Sequence, residues 1–539
     1  PYFNGKSQSI SKEIDEFTKD YKKDLNERKI NLDDLYIKFI RFAEWKINKA
    51  GFGVVGIITN NSFLDGVTHR QMRKHLMGTF DEIYILNLHG NTRKGETDKN
   101  IFDIMVGVSI NIFVKYQTPL KDKKVYYYST LDNGLVGRAE KLDMLATKSL
   151  SSVKWQQLNP AETDNCFFVK KDLSKTAVYE NFYKITDIFD NYNSGIQSKN
   201  DVLTIQYRKK NIENIINDFK TLPIEHIKNK YLIEAGVWTA EKALKSLTYE
   251  KFDISKINKI GYRPFDIRYT FLNTKSSGFL ARPRYETMKH FIKTENIGLC
   301  FTRSFNDSTF NRVFISKDIV DLHIHSDQSY IAPLYLYQND FGLETKTPNF
   351  TAKFQKEYLS TLPFKPTPED ILNYIYAVLH CPLYRETYLE FLKTDFPAVP
   401  MTKDEAVFKK YAALGKQLVA LHTMQDIPKD KEIREEFDGE ISNFVISKIE
   451  PPTKAQHKLT LTATDGKKVI FNGITPDIYS FKIGSYSPIE KWLKYRKADA
   501  VILGIEDLAH IKSMIIVLKH TMEIMEQIKA LNADYLKEI

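Results

Sequence analysis

Residues 33–60 read DDLYIKFIRFAEWKINKAGFGVVGIITN. Leu35, Phe39, Phe42, Ala43 and Ile47 recur at close to helical spacing, with aspartates at the start and lysine at the end, which predicts a helix over 33–49. Gly51 and Gly53 break it, and VVGIIT at 54–59 is an apolar, β-branched run suited to a strand buried on both faces. Outward from this stretch, 69–77 reads as a short basic helix and EIYILNLHG at 82–90 as a second buried strand. FDIMVGVSINIFVKY at 102–116 supplies one or two more strands. Helix alternating with buried strand is the pattern of an α/β layer, joined here partway through.

From about 118 to 345 the strand-like pieces are short, aromatic and dense in cations, as in KVYYYS, GYRPFDIRYTFL and IGLCFTRSF, which suggests a mixed α+β region. After about 346 apolar residues fall at three- and four-residue steps in EDILNYIYAVLH, LYRETYLEFLK and DEAVFKKYAALGKQLVALH. A β interlude with an Asp-Gly turn occupies 458–472, and a long amphipathic helix through Ile511, Ile515, Leu518, Met522, Met525 and Ile528 closes the chain. The boundaries expected are 1–118, 119–345 and 346–539, in line with the roughly 150 residues per domain that apply to a 539-residue chain.

Hydrophobic residues make up 42% and charged residues 27%, which excludes a disordered or fibrous chain. No charge-free apolar run approaches the ~18 residues of a membrane span. Three widely separated cysteines, Cys166, Cys300 and Cys381, fit a reducing compartment and a cytoplasmic location rather than a disulfide framework. Lys and Arg exceed Asp and Glu by 78 to 68, a net +10 that suits a polyanionic partner, although abundant lysine across a proteome would give the same figure. The chain begins at Pro1 with neither an initiator methionine nor a signal-peptide pattern, which reads as a piece of a longer chain.

Three motifs match by letter and fail by context. Gly51-Phe52-Gly53-Val54-Val55-Gly56 fits GxGxxG, but dinucleotide binding needs those glycines after a strand and before a helix, the reverse of the order here. Gly5-Lys6-Ser7 resembles the end of a phosphate loop with no strand ahead of it. His323 and His325 in Asp321-Leu322-His323-Ile324-His325 would share one strand face, a spacing able to ligate a metal. No partner motif supports this, so they are read as hydrogen-bonded structural residues and no metal is assigned.

The segment 261–312 differs in kind. Arg263, Arg268, Lys275, Arg282, Arg284 and Arg303 lie in it, interleaved with Tyr262, Phe265, Tyr269, Phe271, Phe279, Tyr285 and Phe305. Guanidinium groups suit phosphate oxygens and the major-groove edge of guanine, and aromatic rings pack beside bases, so these six cations are the expected DNA contacts. Arg282, Arg284 and Arg303 flank turn-like stretches, whereas Arg263 and Arg268 sit in YRPFDIRY, dense enough in aromatics to brace the domain internally instead. The bland alternative for the whole segment is a solvated basic face over an aromatic core.

Pro1-Tyr2 matches the second half of an Asn-Pro-Pro-Tyr box. It is followed in order by LYIKFIRFAEWKI, GVVGIITNNSFL, RQMRKHLM, FDEIYILNLHG and IFDIMVGVSINIFV. This succession resembles the back half of an adenine-N6 DNA methyltransferase. SGIQSKND (194–201), YRPFDIRY (262–269), PLYLY (333–337), the block 371–400, LGKQLVALH (414–422) and IGSYSPIEKWLKYRK (483–497) resemble the target-recognition region of Type ISP and single-chain Type IIG restriction-modification enzymes. The resemblance covers nearly the whole chain. It implies the C-terminal half of a Rossmann-like α/β methyltransferase, then an α+β target-recognition domain with a largely helical C-terminal part.

That family flips the target adenine out of the duplex. The resemblance then implies Pro1 as part of the box that accepts hydrogen bonds from N6, Tyr2 as the stacking residue and Phe102 as a second wall of the adenine pocket. It implies S-adenosyl-L-methionine as the methyl donor of the intact parent, with Mg2+ and ATP serving its nuclease and motor modules. The donor half, with its Phe-x-Gly-x-Gly loop and ribose-binding acid, is absent from these 539 residues, so this chain alone is expected to be inactive. Its implied partners are double-stranded DNA and the remaining N-terminal portion of the same polypeptide. A DNA-binding specificity module without chemistry of its own is the second function class these residues allow.

Overall fold

Helix α1 (Leu35–Ala50) ends where Gly51 adopts φ +86° and donates its N–H to the Ile47 carbonyl at 2.9 Å, the left-handed cap that glycine makes without steric cost. The chain then enters strand β1 (Gly53–Asn60), so the GxGxxG letters run from helix into strand, as read from the sequence. The computed structural model describes residues 16–25, 32–92, 96–234, 236–340, 343–439 and 443–535, which form two compact units, 1–176 and 177–539. Pro1 and Tyr2 lie outside the described residues.

In the first unit β1 is followed by α2 (Arg70–Thr79), β2 (Glu82–His89), β3 (Val108–Lys115), β4 (Lys124–Ser129), α3 (Arg138–Thr147) and β5 (Gln156–Leu158). The sheet order is β1-β3-β2-β4-β5. β3 runs antiparallel to both β1 and β2, which makes those two parallel to each other, and β2 pairs in parallel with β4 from Glu82↔Lys124 to Asn87↔Ser129. KVYYYS therefore belongs to the first sheet, with β5 beyond it, and the packing division falls after Thr176, whereas the composition shift suggested 118.

One face of this sheet is closed. Tyr36, Ile37 and Ile40 of α1 and Met72 and Leu76 of α2 share a core with Ile83, Ile85 and Phe113. On the other face α3 and Trp155 cover β2 and β4. β1 was expected to be buried on both faces, but it is the edge strand among the described residues and none of them covers its outer face, so Val54 is 64% and Ile58 42% exposed.

The strand block expected to open at Phe102 opens at Val108 instead. Residues 101–106 are a bent segment held by Asn100, whose Nδ2 donates to the carbonyls of Gly90 (3.2 Å) and Val106 (2.7 Å) and whose Oδ1 accepts from the Phe102 N–H (2.9 Å). Beneath it the buried Lys141 ammonium pairs with Asp98 and donates to the Leu88 (2.7 Å) and Lys99 (2.8 Å) carbonyls. These backbone and ionic ties override the apolar letters, and Phe102 is left 39% exposed on a braced loop.

The second unit holds several small sheets around one aromatic core. β6 (Asn193–Ser194) precedes the one-turn helix α4 (Asp201–Thr204) and the hairpin β7 (Ile257–Arg263) and β8 (Asp266–Phe271). Strands β9 (Gly298–Thr302), β10 (Val313–Ser316), β11 (Ile319–Val320) and β12 (Ser329–Pro333) follow. They form sheets of order β10-β9-β12-β6 and β11-β7-β8. His323 and His325 leave the strand into a turn, so they share no strand face, and each ring bonds locally, to the Ser326 carbonyl and the Ser329 hydroxyl respectively.

The helical part comprises α5 (Pro368–His380), α6 (Glu405–His422), α7 (Pro488–Ala498) and the long α8 (Ile505–Tyr535), interrupted by a four-stranded antiparallel sheet over 434–472. It packs into the same core as the β strands of this unit, with no separate hydrophobic cluster among the described residues. No described helix is long and apolar enough to cross a membrane, and Cys166, Cys300 and Cys381 are buried thiols.

His325, His380 and His422 are buried in this unit at low proton affinity. Burial, then the neighbouring Arg312 or Arg385 respectively, pushes His325 and His422 down to about 3, and burial holds His380 well below the ordinary value. At His422, Thr521 gives its hydroxyl proton to the Val517 carbonyl (2.7 Å). The ring Nε2–H therefore donates to Thr521 Oγ1 (2.9 Å) and Nδ1 accepts from Tyr376, a neutral imidazole. Below pH 6.5 the unfolded chain binds protons that the folded chain refuses, so stability falls with acidification down to pH 3. We expect a loss of roughly 1 kcal/mol per pH unit for each histidine, read as the urea midpoint between pH 6.5 and 4.5.

Candidate nucleic-acid interface

Two loops of the second unit lie side by side and brace each other. Gln197 and Arg282 exchange backbone hydrogen bonds of 3.0 and 2.9 Å, and the Ala281 N–H reaches the Ser198 carbonyl at 3.3 Å. In the first loop, SGIQSKND, Gly195 passes so close to Asp321 that a Cβ would sit 2.4 Å from its carbonyl oxygen. Asn200 caps α4 through the Leu203 N–H, Ser198 bonds Asp201, and the Tyr262 hydroxyl reaches Asp201 at 3.0 Å. In the second loop Asn273 clamps Leu280 through both its amide groups, and Trp238 donates to the Phe279 carbonyl at 2.9 Å.

The six expected contacts separate into two kinds on this frame. Lys275 and Arg282 are exposed and Arg284 half-buried on the second loop, with the Lys275 ammonium 4.0 Å over the Tyr249 ring. Arg303, half-exposed, is held by Asp395 at 3.1 Å. Arg263 and Arg268 point inward. Arg263 pairs with Asp321 at 2.7 Å and lies 3.8 Å over Tyr262. Arg268 bonds Asp266 at 3.0 and 3.1 Å between the rings of Tyr207 and Tyr262. Burial works to lower the Arg263 pKa, and the Asp321 carboxylate together with the surrounding tyrosines outweighs it, leaving the guanidinium firmly charged. These two arginines are engaged by internal acids, and bracing is the role their geometry supports. Arg263 also lines, with Lys259, Lys317 and Arg496, an open cleft of about 560 Å3.

Sequence reasoning passed over Lys199, exposed at the tip of the first loop. It takes φ +69°, and Arg284 takes +55°, so a cation occupies the left-handed region on each loop. Non-glycine residues reach that region at a cost, and such positions cluster where a loop must hold one shape. The signal was Lys-Asn-Asp after Ser, a capped turn with a cation at its apex. The arrangement offers fixed positive charge and carries no nucleophile or acid–base pair. Among the described residues no three His, Cys, Asp or Glu gather to hold a metal.

Comparison with solved structures places the chain beside Type ISP enzymes. It aligns over 98% of its length with the Type ISP restriction-modification enzyme LlaGI, a nuclease-deletion mutant solved with a DNA substrate mimic, at TM-score 0.72 and 21% identity. Against the ATP-dependent Type ISP enzyme LlaBIII bound to DNA, the coverage is 98%, the TM-score 0.76 and the identity 21%. Against a DrdV–DNA complex the values are 99%, 0.73 and 20%. The chain spans 52%, 37% and 56% of those three proteins. No curated protein matches it by sequence. Residues 187–527, more than half of the chain and nearly all of the second unit, match the family described as Type ISP C-terminal specificity domain. The chain belongs to that family.

Proposed function

We propose that the second unit reads a specific duplex DNA sequence and that the first unit is the C-terminal half of an adenine-N6 methyltransferase acting at that site. The observation that carries the first statement is the paired-loop frame, which holds Lys199, Lys275, Arg282 and Arg284 on rigid backbone within a specificity domain whose solved relatives were captured with DNA. Cations fixed in this way bind phosphate without ordering a flexible loop, and an arginine fork can also read guanine. The Arg282→Ala, Arg284→Ala double change is expected to weaken duplex binding and to reduce the salt slope of log K by about one per lost phosphate contact, with the melting temperature little changed. Unchanged binding across a salt series would remove these loops from the interface.

The methyltransferase reading rests on the first sheet. Parallel β1 and β2 with antiparallel β3 between them, and a bare apolar face on edge strand β1, suit a doubly wound sheet that continues past β1. The backbone of an edge strand is a template for another strand, and a preceding half of the same polypeptide would supply that strand and the cover for the apolar face. Phe102 then stands on a braced loop beyond the C-terminal end of β2, free to meet an extruded base, with Pro1 and Tyr2 completing the pocket. S-adenosyl-L-methionine would be held by the preceding half, and Mg2+ and ATP would belong to further modules of the parent. In the full-length protein Phe102→Ala is expected to cut adenine methylation of host DNA at least tenfold while leaving duplex affinity intact, since the base is gripped after docking. Methylation at the wild-type level, mapped by long-read sequencing, would refute the pocket assignment.

A further inference from the structure

Val202 is 89% exposed on α4, between buried Leu203 and Thr204 on one side and the Lys199 tip on the other. Its position is not free to relax. The Asn200 side chain accepts from the Leu203 N–H at 3.3 Å, the Thr204 hydroxyl donates to the Asn200 carbonyl at 2.8 Å, and Asp201 is fixed by Ser198 and Tyr262. Leu203 and Thr204 anchor the turn in the core, which forces Val202 outward. A valine has one dominant side-chain rotamer in a helical turn, so two methyl groups are held at a fixed point with little entropy left to lose. Lys199, three residues before Val202, is exposed, and Gln197 of the same loop pairs with Arg282 of the neighbouring loop, so both loops of the frame carry an exposed cation.

We infer that Val202 reads a thymine through its C5-methyl group in the major groove, with Lys199 and Arg282 holding the adjoining phosphates or base edges. The inference rests on the proposed DNA-reading role of this unit and assigns it a residue. A side chain without donor or acceptor cannot use the hydrogen-bonding code of the base edges. The thymine methyl is the one apolar feature the major groove offers, and aliphatic contact with it distinguishes T·A from the other pairs. A larger apolar side chain wedged between base steps would instead bend the duplex and favour no particular base so narrowly. A short, stiff valine flanked by cations suits edge contact.

The test begins with selection from a randomised duplex pool by the 539-residue chain and by its Val202→Ser variant at one salt concentration. Serine at so exposed a position leaves the fold intact, which equal melting temperatures verify. The expected result is a wild-type motif containing a T·A pair that becomes degenerate in the variant, a loss of roughly tenfold discrimination. Deoxyuridine in place of that thymine, which removes only the methyl group, should then weaken wild-type binding severalfold and leave the variant unaffected. Identical motifs, or wild-type affinity indifferent to deoxyuridine at every thymine of the motif, overturn the assignment of Val202 alone. A uniform loss of affinity over all sequences overturns it in favour of a wedge. Failure of the wild-type chain to enrich any sequence overturns the DNA-reading role itself, and this assignment with it.

Discussion

Gly415→Ala is expected to stop the second unit from folding stably. Gly415 lies on α6 where it crosses α5, and a Cβ there would stand 1.8 Å from the Asn373 carbonyl oxygen and 2.6 Å from its carbon. Both atoms are backbone in the middle of a buried helix, so no side chain can swing away. Overpacking in a core usually costs about 1–3 kcal/mol by shifting side chains, and here the two helices themselves must part, which puts the cost at or above the top of that range. Thermal melting of the variant should show the unit lost or its transition several degrees lower. Gly78→Ala on α2 is the control: nothing lies within 4 Å of its Cβ, and alanine raises helix propensity, so the first unit should melt unchanged or higher.

Asp266→Asn is the second large effect. The buried Asp266 carboxylate accepts from Arg268 at 3.0 and 3.1 Å and from Arg496 at 2.9 Å, joining the β7–β8 hairpin to α7 across 230 positions of sequence. Removing the one negative charge leaves two buried guanidinium groups uncompensated, a loss of about 3–5 kcal/mol by comparison with other broken buried pairs. Removing all three charges together, as Asp266→Leu with Arg268→Met and Arg496→Met, should recover most of the stability, because the desolvation cost disappears with them. Denaturant titration of both variants checks this pair of outcomes. If the single change were harmless, the arginines would have other partners and would be released toward the surface.

Those arginines also show where the sequence stopped being legible. YRPFDIRY displayed its aromatics and its cations, and the aromatic density hinted at internal bracing. The partners Asp321 and Arg496 lie tens to hundreds of residues away, and no local pattern locates them. The helix at 35–50 and the strands at 53–60 and 82–89 were legible because their own periodicity and glycine caps decide them. The outer face of β1 was not, because edge position depends on which strands pair, a long-range fact. Phe102 looked like the first residue of a strand since its neighbours are apolar. It is held in a loop by Asn100 and by the Lys141–Asp98 pair, which periodicity cannot register. Val202 and Lys199 escaped notice for the opposite reason: their loop is short and polar, and only the tertiary bracing makes it rigid.

The central claim is that this chain distinguishes one duplex sequence from others. It is tested most directly by competition at physiological salt between the duplex the 539-residue chain selects and a scrambled duplex of the same length and composition. The account predicts a specificity ratio of about a thousandfold or more, since a sequence-reading interface exceeds its own electrostatic background by at least that much. A ratio near one, with both duplexes bound through charge alone, would contradict it.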